Sequence, residues 1–524
     1  MKKTASALSK IAYAIAAVIL AILSYNTAHY TFVHDFEDYS AAYLYEGPDS
    51  RLLNLLVLIF VIAFSYLLVR LIFSFSNTKK QQSLMVLYIS AGLSLTTLVL
   101  GCIWVSKTYI PPFWDQAYCI EAADNFINSD YTKMSELYLK MYPQQLGLIF
   151  CESLFLRIWD FYGIFQYMNA IFVALIIFLS GRVSHEIFEN PVAELFTVIL
   201  TTAFTPLFYY VSFIYGDVFA LCACFFVAWM LIRFIRKEKI VYGILAIVVS
   251  MVMVPVRENT LIFILATVIF LTVMAIRFKK VTPLIIAALI VVLPLITTRG
   301  IKSYYEDKSG VKLDNEVPSI NWIVMGMRGT LEEGKGVGYY DGYNYYTWFV
   351  NGQDKKVAIE YSKEVMNEFF KSYKEDPIHA VKFYRYKVFE QWLEPTFDCI
   401  YMTVSDHETS WKEVDLLYNQ NAVKRLNNYC DYFLTIAYVC AFFCVVYLFF
   451  KDKYAYGVYI ATFFIGIFLF SIIWEAKGRY TLPGFVMLFV LSGAGVSFIH
   501  SACTSLYYRF AKKKEPKKES ELNE

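Results

Sequence analysis

Residues 111–126 read PPFWDQAYCIEAADNF, which sets three carboxylates, Asp115, Glu121 and Asp124, beside Trp114, Gln116 and Tyr118. A carboxylate can take a proton from an acceptor hydroxyl as general base. If 115–128 is helical, Glu121 and Asp124 share a face, and Asp115 stands near the helix start, where an acid also suits an N-cap or the helix dipole. Beside the chemical readings stand plain ones: an N-cap for Asp115, the solvated side of a short helix for Glu121 and Asp124, and interfacial aromatics for Trp114 and Tyr118. Three further places carry ionisable groups next to apolar runs: Asp217 after FYYVSFIYG, Arg257-Glu258 after Pro255, and Glu475, Lys477 and Arg479 in WEAKGRY. Such groups are costly at membrane depth unless paired or functional, and singly each could mark a helix end. Arg and Lys can hold a phosphate, Arg with two parallel hydrogen bonds. A second acid could hold a divalent cation, Mg or Mn, although acids this dispersed identify none. Walker loops, GxGxxG, HExxH and paired CxxC are missing from the sequence, so ATP hydrolysis, dinucleotide binding and zinc chemistry have no support in it.

These residues belong to a chain of 524 residues that is 58% hydrophobic and 18% charged, with a mean hydropathy of +0.47. That balance defines a polytopic membrane protein. Net charge is +2, from 47 basic and 45 acidic residues, so nothing favours a nucleic-acid partner. Twelve apolar stretches could cross a hydrocarbon core of roughly 30 Å: 10–31, 51–73, 84–106, 163–183, 191–212, 217–236, 240–256, 259–276, 281–298, 431–450, 454–474 and 481–506. They are expected to be helices, because open strands leave backbone groups unpaired in lipid. Lys2, Lys3 and Lys10 precede an apolar run from about Ile11 to Leu23, which reads as a retained signal anchor. Ten cysteines form no disulfide or zinc pattern.

Orientation follows from basic short loops. With a cytoplasmic N-terminus, Arg70/Lys79/Lys80, Arg233–Lys239, Arg277–Lys280, Lys451/Lys453 and Arg509–Lys518 fall inside, and the acidic loop with Asp35, Glu37, Asp38, Glu46 and Asp49 falls outside. Segment 143–162 is apolar but contains Glu152, Arg157 and Asp160; as a span it would invert every later loop, so it is placed along the outer interface. The expected organisation is three spans in 1–106, an outer loop with juxtamembrane helices in 107–162, a transmembrane core in 163–298, an extracytoplasmic α or α+β insertion in 299–430, final spans in 431–506 and a basic tail in 507–524. The outer loop, Tyr215-Gly216-Asp217, Arg257-Glu258, the insertion and Trp474–Tyr480 then share the outer face. Within the Gly/Tyr-rich stretch GKGVGYYDGYNYY at 334–346, the Tyr-rich loop 339–346 could stack on sugar rings or rest on the interface.

Four stretches in order carry a resemblance to a known family: PPFWDQAYCIEAADNF with YLKMYPQQLGLIF, FTPLFYYVSFIYGDVFALC, PVRENTLIFIL and WEAKGRYTLPGF. The chain resembles the GT-C superfamily of integral-membrane glycosyltransferases, most closely bacterial members related to protein O-mannosyltransferases and aminoarabinose transferases. The resemblance implies an all-α GT-C fold in a bacterial cell membrane, with an outward-facing site that moves a sugar from a polyprenyl-phosphate donor to a glycan, teichoic-acid-type polymer, lipid or protein acceptor. It puts Asp115 in the place of the essential first-loop acid, and Tyr142 and Gln144 of YPQQ at the start of a juxtamembrane helix. Asp217 matches the acid after the aromatic run, with Gly216 where Thr is usual, and Glu475 and Arg479-Tyr480 match an E…RY pattern near the lipid phosphate. Substrate contacts are expected from Gln116, Glu121, Asp124, Tyr142, Gln144, Asp217, Arg257, Glu258, Glu475, Lys477, Arg479 and Tyr480. The chain departs from the family in two ways: Asp115-Gln116 replaces a pair of adjacent acids, which leaves a bridging metal without its usual ligands, and two extra spans precede the loop. NWIVMGM and KVFEQWLEP resemble outer insertions of cell-envelope members. Two other readings are a flippase for lipid-linked glycans, which predicts broken helices and inverted repeats, and a polysaccharide polymerase or ligase.

Overall fold

A computed structural model describes residues 2–34, 44–108, 110–331, 336–404 and 420–514. A helix satisfies its own backbone donors and acceptors, which lipid cannot do for it. Among the described residues, ten helices are long and apolar enough to cross a membrane, beginning with Lys2–Thr27, Arg51–Phe73 and Lys79–Thr108 and ending with Gly478–Ser505. Pro191–Ala203 and Thr205–Ser212 form a pair bent by 56°, which makes an eleventh if taken as one span. Ile240–Val256, with 17 residues, is shorter than these. The twelve expected apolar segments therefore fall on helix over almost their whole length, and the chain is a multi-pass membrane protein that is, among the described residues, all-α but for one short hairpin.

Local chemistry sets a few of the helix starts. An Asn or Asp side chain before a helix-opening proline satisfies N–H groups that the first turn leaves unpaired. Asn190 caps the helix that opens with Pro191, accepting from Val192 N–H at 2.9 Å, and Asp376 caps the one that opens with Pro377, accepting from His379 N–H at 3.0 Å. Small residues permit close helix packing. A Cβ added to Gly495 would lie 1.8 Å from the Cys440 carbonyl oxygen, so the last helix and Gln420–Phe450 meet backbone to backbone. The Lys2–Thr27 helix buries Ala5, Ala12, Ala16, Leu20 and Leu23 and packs on Gln420–Phe450, Leu261–Phe278 and Val458–Ile473. At the opposite end from the cavity described below, the Arg233–Lys239 cluster is tied down by Arg236, which pairs with Glu186 at 3.2 Å.

Several boundaries differ from expectation. Helix Thr282–Ser309 runs past the expected end at 298, because Arg299 and Lys302 leave the apolar run without breaking the helix. Gln420–Phe450 likewise starts before 431. Segment 143–162 is not a span. Its helix is Leu146–Leu156, which at the α-helical rise is only about 16 Å long. Glu152 is buried within it, while Arg157 and Asp160 are exposed beyond its end. A Cβ on Gly147 would sit 2.0 Å from the Pro255 carbonyl oxygen, so only glycine lets this helix rest on the end of Ile240–Val256.

The insertion is helical among its described residues, with Ile320–Met325, Tyr343–Val350, Lys355–Glu375, Pro377–Trp392 and Tyr401–Val404. Strand appears elsewhere, as an antiparallel hairpin of Tyr30–His34 and Leu44–Pro48 with His34 opposite Leu44. This corrects the expectation that 10–31 is all span. The hairpin is held by the insertion: Phe32 N–H donates to the Leu393 carbonyl at 3.2 Å, Tyr386 hydroxyl to the Leu44 carbonyl at 3.1 Å, and Arg385 pairs with Glu46 at 2.7 Å. Asp35, Glu37 and Asp38, residues 334–335, and the tail from 515 lie outside the described residues.

Candidate active site

At the end of the bundle where Ile240–Val256 and Val458–Ile473 finish and Asp217–Lys237 and Gly478–Lys514 begin, separate loops enclose a cavity of about 1340 Å³. Its walls come from 113–116, 137–147, 213–215, 256–259, the end of Thr282–Ser309, the insertion and 474–480. The five regions expected to share a face thus meet around one space.

The turn at 210–216 is built first, by buried amides. Asn169, inside the span Gly163–Phe188, donates to the carbonyls of Val211 and Phe213 at 3.2 and 2.9 Å, and Gln166 donates to those of Ile110 and Ser212 at 2.7 and 3.4 Å. Gln116 accepts from Ile214 N–H at 2.8 Å. An unpaired buried polar group costs about 1–3 kcal/mol, so these bonds fix the turn against the first outer loop. Gly216 then turns the chain at φ +81°, where a Cβ would meet Val256 Cγ1 at 2.9 Å. A threonine would be strained there and crowded.

Tyr215, so placed, is shared by opposite charges. Its hydroxyl donates to Asp115 Oδ2 at 3.2 Å and accepts from Gln145 Nε2 at 2.7 Å. Its ring lies under the Arg257 guanidinium at 4.7 Å and the Arg479 guanidinium at 5.5 Å. Both are close enough for cation–π attraction. Burial, reinforced by the Asp115 charge, holds the phenol pKa well above its ordinary value. The hydroxyl therefore remains a donor.

Asp115 is the first residue of helix Asp115–Ile127 and is exposed to the cavity. The cap position belongs to Trp114, at φ 48° and ψ −127° with no side-chain cap bond. The N-cap explanation for Asp115 therefore does not hold. A positive φ is a rare conformation for a bulky side chain and is retained where surroundings impose it. Here Trp114 packs edge-on to Phe113 at 5.0 Å and against Tyr401 at 5.7 Å.

Across the cavity stand the cations. Arg257 pairs with Asp217 at 3.0 Å, both nearly buried. Lys477 pairs with Glu475 at 2.8 Å and faces the Tyr340 ring at 5.5 Å; burial opposes its charge, but Glu475 outweighs it and keeps the ammonium pKa above its usual value. Arg479 is 7% exposed, lies between the rings of Phe213, Tyr215 and Tyr480, and has no hydrogen-bond partner for Nε. The insertion clasps this loop: Ala476 N–H donates to the Gly338 carbonyl at 2.7 Å, and Lys477 N–H and Thr481 hydroxyl bond Gln391 at 3.3 and 2.8 Å. Trp474 and Trp322 stack with centroids 5.9 Å apart.

Of the residues expected at the site, Asp115, Gln116, Tyr142, Gln144, Arg257, Glu258, Glu475, Lys477, Arg479 and Tyr480 line the cavity. Gln116 is 3% exposed with its oxygen committed to the turn, so it builds the site from behind. Asp217 stands in a smaller crevice below, with Arg257, Arg479 and Tyr480 shared by both spaces. Glu121 and Asp124 are not among the lining residues, and Glu121 pairs with Lys133 at 2.9 Å. Of the Tyr-rich loop, Tyr339, Tyr340 and Tyr345 reach the cavity. The roles of Tyr215 as hub, and of Gln145, Trp322 and Asp398 around it, go beyond the sequence reading. The nearest signal for Tyr215 is its place in the aromatic run before Asp217.

For a divalent cation, one group among the described residues brings three ligand types together: His34, Glu394 and Asp398, whose ligand atoms lie within 4.8 Å of one another. Both carboxylates and His34 Nε2 already serve the protein, while His34 Nδ1 is buried without a hydrogen-bond partner. Asp398 bonds His34 Nε2 at 2.9 Å and accepts from Arg479 N–H at 3.1 Å; Glu394 accepts from Thr396 N–H at 2.9 Å and Asp398 N–H at 2.8 Å. With both carboxylates and Nε2 so committed, the group serves as a hydrogen-bonded brace.

Fold and cavity define a multi-pass membrane protein with a charged, aromatic-walled chamber at one end of its bundle. No protein-family model matches the chain, and no curated protein matches it.

Proposed function

We propose that the chain is a GT-C-type glycosyltransferase of twelve spans, moving a sugar from a polyprenyl-phosphate donor to a cell-envelope acceptor on the outer side of a bacterial membrane. The observation that carries this reading is the arrangement at Tyr215, which holds a carboxylate at its hydroxyl and two guanidinium groups over its ring. Transfer of this kind needs a base beside the acceptor and cations beside the departing phosphate. In the proposed step the acceptor oxygen bonds the anomeric carbon, the bond from that carbon to the phosphate oxygen breaks, and the acceptor proton passes to Asp115. The phosphate leaves with the bonding electrons and its charge is met by Arg479, Lys477 and Arg257. Carboxylates near the anomeric carbon, Asp115 and Glu475, suit its positive character as the bond loosens.

Asp115 is the cleaner residue to test, because it is exposed, whereas breaking the buried Asp217–Arg257 pair costs about 3–5 kcal/mol in folding alone. Asp115→Asn is expected to lower release of free polyprenyl phosphate from a polyprenyl-phosphate sugar by about 10²–10⁴-fold with an unchanged melting temperature. Near-normal turnover would remove Asp115 from the chemistry. One feature favours a flippase instead, the 56° break between Pro191–Ala203 and Thr205–Ser212, since broken helices are common in transporters. Phe204 at that break is packed among Phe397, Phe433, Phe485 and Phe489. The same assay separates the readings, since a flippase moves its lipid without cleaving the sugar–phosphate bond.

A further inference from the structure

Among its described residues, the hairpin between the first two spans touches the chamber wall through His34, which bonds the lining residue Asp398. His34, 6% exposed, bonds Asp398 Oδ1 at 2.9 Å although 364 residues separate them. Asp398 is itself held in a left-handed conformation, φ 61°, next to Phe397 at φ 50°. Glu394 maintains that turn by accepting from Thr396 and Asp398 N–H, and Tyr210 hydroxyl donates to the Phe397 carbonyl at 2.5 Å. The other oxygen of Asp398 accepts from the backbone N–H of Arg479, at the start of helix Gly478–Lys514. A carboxylate there satisfies an otherwise orphaned donor and suits the helix dipole. Gly478 leaves room for it: a Cβ would approach the Asp398 carboxylate to 3.1 Å. On its other side the His34 imidazole stacks on Tyr401, with centroids 6.1 Å apart and planes at 17°, and Tyr401 packs on Trp114, the residue before Asp115.

We infer that His34, through Asp398 and Tyr401, is a positioning residue that fixes Arg479 and the Trp114–Asp115 corner relative to each other across the chamber. The hairpin is thus part of the site's frame. The inference rests on the reading given under Proposed function for its catalytic meaning, but its geometric content stands apart from it. Asp398 and Glu394 are the carboxylates facing the imidazole, Tyr401 is the ring stacked on it, and Arg479 faces the far side of Asp398. Burial opposes charge on both partners and is outweighed. The Asp398 bond and the charges of Glu394 and Asp398 hold His34 above 6.5, while the His34 bond and charge, with Arg479, hold Asp398 below 3.8. A histidine raised in the fold stabilises fully below its unfolded value, about 6.5, and loses that contribution as pH climbs through the raised value. An acid lowered in the fold stabilises above its unfolded value and loses that contribution as pH falls through the lowered one. The brace is therefore strongest between those limits and slackens on the alkaline side.

The test uses hydrogen exchange on the full-length protein in lipid nanodiscs, with His34→Gln and, as a second way of breaking the same link, Asp398→Asn. In both, amides of 474–482 and 112–118 are expected to exchange about tenfold faster than wild type at pH 6, with 437–445 unchanged. In wild type the same acceleration is expected on raising the pH above the His34 transition, after correction for intrinsic exchange. Wild-type protection of both segments in variants that keep the wild-type melting temperature would overturn the inference. Binding of polyprenyl phosphate alone, a ligand that needs no turnover, is read in parallel and should weaken about tenfold in both variants. If wild type binds none, the donor reading falls while the exchange result still decides the role of His34; if binding is tight and unaltered in the variants, the frame has no bearing on the donor site.

Discussion

Lys387 is fully buried, and its ammonium donates to the carbonyls of Gly326 at 2.6 Å and Ile472 at 2.9 Å. Burial pushes its pKa down to about 7, against Glu390 and Glu475, which pull it up. The unfolded chain, with its lysine near 10.5, therefore holds a proton that the folded chain gives up between about pH 7 and 10.5. Stability rises with pH across that window, because the unfolded state binds more protons there. Lys387→Met removes the titration. The melting temperature of wild type relative to this variant is expected to climb from pH 7 to 10, and a pH-independent difference would show that Lys387 keeps its proton. The same residue illustrates what sequence reading reaches at this scale. KVFEQWLEP is visible as a stretch, but nothing in it reveals that Lys387, Glu390 and Gln391 are all buried, because their partners Gly326, Ser471, Ile472 and Val337 lie far along the chain. Asp115, Arg257, Glu475 and Arg479 were legible for the opposite reason: a charge beside an apolar run is conspicuous without its partner. Tyr215 and His34 were not, since a tyrosine in an aromatic run and a lone histidine carry no local mark of a tie to Asp115 or Asp398.

Elements were legible where hydropathy alone forms them. The twelve apolar runs are helical over almost their whole length, whereas the juxtamembrane helix Leu146–Leu156 had to be argued from loop charges, and the hairpin was hidden because Tyr30–His34 continues the first apolar run while its anchors sit in the insertion. Gly147 is the point at which the juxtamembrane helix commits to its place. Gly147→Ala sets a methyl 2.0 Å from a backbone oxygen that cannot rotate away, and overpacking of this kind costs about 1–3 kcal/mol. A lower melting temperature is expected, together with weaker polyprenyl-phosphate binding as Gln145 is carried off Tyr215. Gly300→Ala, where a Cβ meets nothing within 4 Å, serves as the control and should be neutral or stabilising by up to about 1 kcal/mol. Equal behaviour of the two variants would show that the helix can shift without cost.

For the whole molecule, the basic-loop rule commits the insertion and chamber to one side of the membrane and the start of helix Lys79–Thr108 to the other. In intact cells a membrane-impermeant maleimide is expected to label Lys371→Cys and to spare Lys80→Cys until the membrane is opened; the reverse pattern would turn the chamber inward. Both positions are exposed, so access to each is decided by the bilayer alone. The packing of Lys2–Thr27 bears on how such a molecule is made. That helix leaves the ribosome long before Gln420–Phe450 and Val458–Ile473, on which it packs. At synthesis rates of roughly 5–20 residues per second, the intervening chain takes about 20–80 s to appear. Throughout that interval Lys2–Thr27 can meet Leu261–Phe278, but the face that rests on Gln420–Phe450 and Val458–Ile473 has only lipid or another protein to lie against, so this seam of the bundle closes late in synthesis.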